Sequence, residues 1–144
     1  MDAVNVHEAN MPGDIAGTGV SLHLKGVLIM LVSWNTTNQC NMFCDHCYRD
    51  AGAKADDELS TVEAQKLIEE IKQAGFQIMI FSGGEPLMRP DIYELGAYAR
   101  KMGLRAVLGT NGTLITPEVA RDLKAAGFMA AGVSLDSLEP AKND

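Results

Sequence analysis

Cys40, Cys44 and Cys47 are the only cysteines in the 144-residue chain, and they fall in a single short run, Cys-x3-Cys-x2-Cys. Three thiolates on one loop can face a common point. Thiolate sulfur suits soft metals, and short cysteine spacings of this kind hold iron–sulfur clusters. A structural zinc site wants four protein ligands. His46 could be a fourth, but it is wedged between Asp45 and Cys47, where sharing one metal is sterically awkward. Three ligands leave one metal position open, as a catalytic centre requires. A site-open 4Fe–4S cluster is therefore the favoured occupant, with zinc and unligated structural cysteines as the alternatives.

Three other polar groups could work with such a centre. Gly83-Gly84-Glu85-Pro86 joins two glycines to a carboxylate. Glycine lets backbone come close to a ligand, and a carboxylate accepts strongly from a cation. Thr110-Asn111 and the pair Ser134 and Asp136 add hydrogen-bonding side chains. Each has a plainer reading alone. Gly-Gly-Glu-Pro is a turn, Asn111-Gly112 is a turn signal, and Asp136 could cap a helix. What decides between the readings is whether the fold brings the groups together.

The elements that must do so can be read in order. Residues 26–34 are apolar on both faces, as a parallel strand covered on both sides is. A polar loop, residues 35–57, carries the cysteines. Ser60 with Glu63 makes a capping box, and Ala64, Leu67, Ile68 and Ile71 follow at helical spacing until Gly75. A second strand, 77–82, runs into Gly83. A second helix begins after Pro90, with Asp91 as cap and Glu94 three residues on, and ends at Gly103. A third strand, 104–109, ends at Thr110. Thr116-Pro117 opens a third helix, Gly127 stops it, and a fourth strand covers 129–135.

Strands alternating with helices imply right-handed crossovers and a parallel sheet. The fold class is α/β, either a doubly wound open sheet or a β/α barrel. Both bind ligands at the carboxyl ends of their strands, and all four polar groups fall on that edge. Residues 1–26 hold no period and read as an irregular leader with a short extended piece at 20–25.

Composition narrows the class. Hydrophobic content of 47% and charged content of 22% are ordinary for one globular domain. A net charge of −7 argues against a nucleic-acid surface, which needs a basic face. The longest apolar run, residues 27–32, is far short of the about 20 residues of a membrane helix. No targeting segment is evident, so the expected location is the cytoplasm. Clustered cysteines there mean metal or redox chemistry rather than disulfides.

Cys40-x3-Cys44-x2-Cys47 after a first strand, followed by Gly83-Gly84-Glu85-Pro86 after a second, resembles the radical S-adenosylmethionine (radical SAM) superfamily over residues 27–136. The resemblance implies a partial (β/α) barrel. It implies that the cysteines hold a 4Fe–4S cluster whose fourth iron is chelated by S-adenosylmethionine. Reductive cleavage of that cofactor then gives methionine and a 5′-deoxyadenosyl radical, which abstracts hydrogen from a substrate. Carried over residue by residue, Cys40, Cys44 and Cys47 are the cluster ligands. His46 fills the aromatic place before the last cysteine, close to the adenine. Gly83, Gly84 and Glu85 hold the methionine ammonium. Thr110, Asn111, Ser134 and Asp136 contact the cofactor from the third and fourth strands.

Residues 33–40 and 47–52 resemble the branch that modifies tetrapyrroles, in the alternative haem and d-type haem pathways. That implies a tetrapyrrole substrate and an electron donor such as a ferredoxin or flavodoxin. A peptide-modifying maturase is the alternative, and a non-catalytic iron–sulfur or zinc module is a second. Gly83–Glu85 should discriminate, since a bare metal module does not need them. The family core has more strand–helix units than are found here. The expectation is an N-terminal portion of the core, residues 27–144, ending after about the fourth strand.

Overall fold

The computed structural model describes residues 6–8, 19–24 and 27–139, with side chains from residue 29 onward. One six-stranded sheet runs in the order β1-β2-β3-β4-β5-β6. Its parallel part is β3 (Val27–Asn35), β4 (Ile78–Ser82), β5 (Arg105–Thr110) and β6 (Ala130–Val133). These pair in register, Trp34 with Phe81, Phe81 with Leu108 and Gly109 with Gly132. Helices α1 (Thr61–Gln73), α2 (Ile92–Lys101) and α3 (Pro117–Ala126) connect them.

Alternation in the strands decides where the core sits. Met79 and Phe81 of β4, and Ala106 and Leu108 of β5, are wholly buried, while Ile78, Ile80, Val107 and Gly109 are half-buried. The buried set packs with Ala64 and Ile68 of α1 and Ile92, Leu95 and Ala99 of α2. Trp34, Phe81 and Phe128 meet edge to face through this layer. All three helices therefore clothe one face of the sheet, and the other face carries the half-buried residues. All four residues of β6 are exposed.

Caps set the helix starts. At α1, the Ser60 hydroxyl accepts from the Glu63 N–H, and a Glu63 carboxylate oxygen accepts from the Ser60 N–H at 2.9 Å. At α3, the Thr116 hydroxyl accepts from the Val119 N–H, with proline first in the helix and Gly127 left-handed at its end. Asp91 precedes α2, but its side chain makes no cap bond. Its carboxylate instead accepts from the Arg89 guanidinium (2.7 and 3.0 Å) and the Thr61 hydroxyl (2.7 Å). A buried cation outcompetes a helix N–H for the same oxygens.

The irregular leader expected over residues 1–26 lies largely outside the described residues, but the parts that are described are strands, not irregular chain. β2 (Gly19–Leu24) pairs antiparallel with β3, and β1 (Val6–Glu8) pairs antiparallel with β2. The extended piece expected at 20–25 lies largely within β2. Pairing with the long β3 supplies the hydrogen bonds that this aperiodic segment does not announce by its pattern.

Candidate functional site

The carboxyl ends of β3, β4 and β5 meet around Gly83-Gly84-Glu85, through backbone bonds on the β3 side and through the Glu85 carboxylate on the β5 side. The Gly84 N–H donates to the Thr37 carbonyl at 2.8 Å, and the Glu85 N–H to the Gln39 carbonyl at 2.7 Å. The chain leading into the cysteine loop is thus laid along this segment. A Cβ at Gly83, whose φ is 140°, would collide with the Thr37 carbonyl oxygen, and one at Gly84 with the Gln39 carbonyl oxygen. The pair of glycines is what this docking demands. The close approach predicted from the sequence is made by the cysteine loop's own backbone.

Glu85 is fully buried. Its carboxylate accepts from the Thr110 hydroxyl (2.9 Å to each oxygen), the Asn111 N–H (2.8 Å) and the Leu87 N–H (3.1 Å). The acid is turned into the protein, where it ties the end of β4 to the end of β5 and caps the 3-10 turn Pro86–Met88. Thr110, also buried, is held in the same network. Asn111 faces outward. Its amide donates to Asn41 Oδ1 at 2.9 Å and lies 3.9 Å from Cys40 Sγ.

The loop is closed at its base, where Cys40 N–H donates to the Gly52 carbonyl (3.0 Å) and Gly52 N–H to the Asn38 carbonyl (2.9 Å). Cys44 and Cys47 share a turn, with Cys47 N–H on the Cys44 carbonyl at 3.0 Å. The cysteines are half-buried, while Phe43 and Tyr48 are 85% and 83% exposed. The backbone N–H groups of Ala51 and then Arg49 aim at Cys47 and hold its thiol below the ordinary range. Among the described residues, no three His, Cys, Asp or Glu side chains converge tightly enough to hold a metal ion. The donor set nevertheless suits an iron–sulfur cluster. It offers three thiols on one short loop, and at Cys47 backbone N–H groups favour the thiolate form.

His46 and Asp136, from opposite sides of the mouth, come together. His46 Nε2 lies 3.2 Å from Asp136 Oδ2, and both side chains are about 60% exposed. Ser134 is exposed at the end of β6 and its N–H donates to the Thr110 carbonyl at 3.0 Å. Every residue singled out from the sequence thus lies at the carboxyl edge of the parallel strands or on the loop above it.

Four positions escaped the sequence reading. Glu58 accepts from Thr37 Oγ1, Asn38 N–H and Ala55 N–H at 2.8–3.1 Å, fixing both limbs of the loop. Burial pushes its carboxyl up, but those hydrogen bonds outweigh it and hold it below the usual range. Arg89 is buried, donates to the Thr36 and Leu59 carbonyls at 2.8 Å, and lies over Trp34. Asn41 and Thr113 join Asn111 in a polar cluster. The only signal for Arg89 was its place next to Pro90-Asp91, and the others had none. Separately, a cavity of about 400 Å³ lies between β3, α1 and residues 49–59, lined in part by Val32, Arg49, Glu58 and Leu67. It opens beside the loop's base rather than above the strand ends. No described helix is long and apolar enough to cross a membrane.

Residues 34–144 match the family described as the Radical SAM superfamily. The chain is 50% identical over 109 residues to an Fe-coproporphyrin III synthase of Methanosarcina barkeri, a match covering 75% of this chain and 27% of the relative. It is 45% identical over 115 residues to an AdoMet-dependent heme synthase of Nitratidesulfovibrio vulgaris, covering 79% and 31%. It is 36% identical over 113 residues to the mycofactocin maturase MftC of Mycobacterium tuberculosis, covering 78% and 29%. These matches span about a third or less of each relative's length. Among solved structures, BtrN in complex with AdoMet and 2-DOIA superposes with a TM-score of 0.61 at 21% identity, over 72% of this chain and 44% of that one. That likeness supports the α/β partial-barrel fold.

Proposed function

The chain belongs to the radical SAM superfamily, and from that premise we propose that it carries the cluster-binding and much of the cofactor-binding part of a radical SAM enzyme acting on a tetrapyrrole. Cys40, Cys44 and Cys47 would hold a 4Fe–4S cluster. When bound, that cluster supplies the electron for reductive cleavage of S-adenosylmethionine.

The observation that carries the reading is the joining of three strand ends around Gly83-Gly84-Glu85. The backbone of 37–39 docks on the glycines, and Glu85 locks Thr110 and Asn111. The protein groups then divide by role. Glu85 and Thr110 are bonded inward and act by holding the frame. Gly83 and Gly84 are half-buried, and their carbonyls would be the acceptors for the methionine ammonium. His46 is the group for the adenine. Asp136 and Ser134 are the polar groups on the β6 side for the ribose or carboxylate. The electron would come from a ferredoxin or flavodoxin.

The tetrapyrrole class rests on the relatives named as haem and coproporphyrin synthases, at 45–50% identity. The maturase match at 36% supports peptide modification as the second reading. Since loop docking alone requires Gly83 and Gly84, they do not distinguish an enzyme from an iron–sulfur module. Activity does. After anaerobic reconstitution with iron and sulfide, reduction with S-adenosylmethionine present should release 5′-deoxyadenosine, and Cys44→Ala should abolish the release. A colourless protein binding one zinc would overturn the proposal.

A further inference from the structure

Cys40 is tied through its neighbours to two separate parts of the mouth. Its own N–H is fixed to Gly52 at the base of the loop. The next residue, Asn41, belongs to a closed ring of hydrogen bonds with the loop after β5. Asn111 Nδ2 donates to Asn41 Oδ1 (2.9 Å), Asn41 Nδ2 to Thr113 Oγ1 (2.8 Å), and Thr113 Oγ1 to Asn111 Oδ1 (2.7 Å). Each group donates to the next, an arrangement in which bonds polarise one another. The ring is anchored to the backbone twice, through Asn111 N–H on Glu85 and Thr113 N–H on Asn111 Oδ1 (2.9 Å).

We propose that Asn41, Asn111 and Thr113 are positioning residues that fix Cys40 as the preset corner of the three-cysteine site and turn an amide N–H toward its sulfur. The proposal rests on the reading of Cys40 as a cluster ligand, but its geometry belongs to the protein without the cluster. Asn111 Nδ2 lies 3.9 Å from Cys40 Sγ, and Met42 N–H donates to the same sulfur at 3.4 Å. The ring itself is solvent-exposed, where water competes for every bond, so it adds little to global stability. Its effect is local. It restrains the residue beside Cys40 and sets the direction of one side-chain N–H. N–H groups at cluster sulfurs are among the features that set cluster potentials.

The test is alkylation of the metal-free, reduced full chain with iodoacetamide, each cysteine followed by peptide mass spectrometry. In the parent protein Cys40 should react the slowest. Thr113→Val, which keeps the shape but removes the hydroxyl, should speed Cys40 alkylation by about three- to tenfold, as loss of one net hydrogen bond implies. Cys44 and Cys47 should be unchanged. Asn41→Ala should do the same, the double variant should add little to either single one, and Thr113→Ser should restore the parent rate. Unchanged far-ultraviolet circular dichroism and melting separate the effect from misfolding. Equal acceleration of all three cysteines, or no acceleration in either Thr113→Val or Asn41→Ala, would overturn the proposal. If the selective effect appears but the protein takes up no iron, the cluster reading fails while the positioning of Cys40 stands.

Discussion

Residues 83–89 and residues 41–49 lie beside each other at the mouth and are built in opposite ways. In the first segment Glu85, Pro86 and Arg89 are buried, and their polar atoms are bonded to three neighbouring elements. In the second, Phe43 and Tyr48 point into solvent, and the cysteines are half-buried on a loop whose ties include its base, Asn41 and the exposed pair of His46 with Asp136. The contrast is between a frame beneath the loop that is tied by buried polar bonds and a thiol-bearing stretch that lies nearer to water. A buried carboxylate held by three donors cannot relax cheaply. An exposed loop with few anchors opens locally at small cost.

The sharpest way to break the contrast is Gly84→Ala. The new methyl meets the Gln39 carbonyl oxygen, with the Asn38 carbonyl oxygen only 2.8 Å away, so the approach limb of the loop must shift. A loss of about 3 kcal/mol in urea unfolding is expected, the upper end of ordinary overpacking. Glu85→Gln comes next. It keeps the shape but turns an amide donor toward the Thr110 hydroxyl or the N–H of Asn111 or Leu87. About 2 kcal/mol should be lost by the same measurement, whereas Cys44→Ala in the loop should change stability by under about 0.5 kcal/mol.

A further effect is with pH. Burial pushes the Asp91 carboxyl up, but the bonds from Arg89 and Thr61 win and hold it below its usual range, as those from Asn38, Thr37 and Ala55 do for Glu58. Carboxyls depressed in the folded state stabilise it fully above the ordinary carboxylate range, and that contribution is lost as pH falls through their lowered values. Urea midpoints should therefore fall on acidification below about pH 4. Asp91→Asn should flatten that slope while lowering stability near neutrality by on the order of 1 kcal/mol.

Much of this was legible in the residues. The four parallel strands and three helices follow from apolar runs, the Ser60–Glu63 box, Thr116-Pro117 and the glycine stops, and each is found within one to three residues of the expected bounds. The convergence of the cysteine loop, Gly83–Glu85, Thr110 and Asp136 on one edge followed from strand order. Direction of side chains did not. A carboxylate after two glycines reads equally as a ligand group or a buried tie, and only tertiary contacts choose between them. Asp91 has the sequence of a cap, yet Arg89 takes its oxygens. Asn41 and Thr113 are 72 residues apart and carry no local pattern. The antiparallel strands of the first 24 residues lack the alternation that would have marked them.

The most direct measurement of the central claim is amide hydrogen exchange followed residue by residue before and after anaerobic loading with iron and sulfide. The N–H groups of Gly84, Glu85 and Asn111 should already be protected in the unloaded protein and change little, while those of residues 42–50 should exchange fast and gain protection only on loading. If Gly84, Glu85 and Asn111 exchange as fast as the loop beforehand and gain protection together with it, the frame is not preformed and the account is wrong.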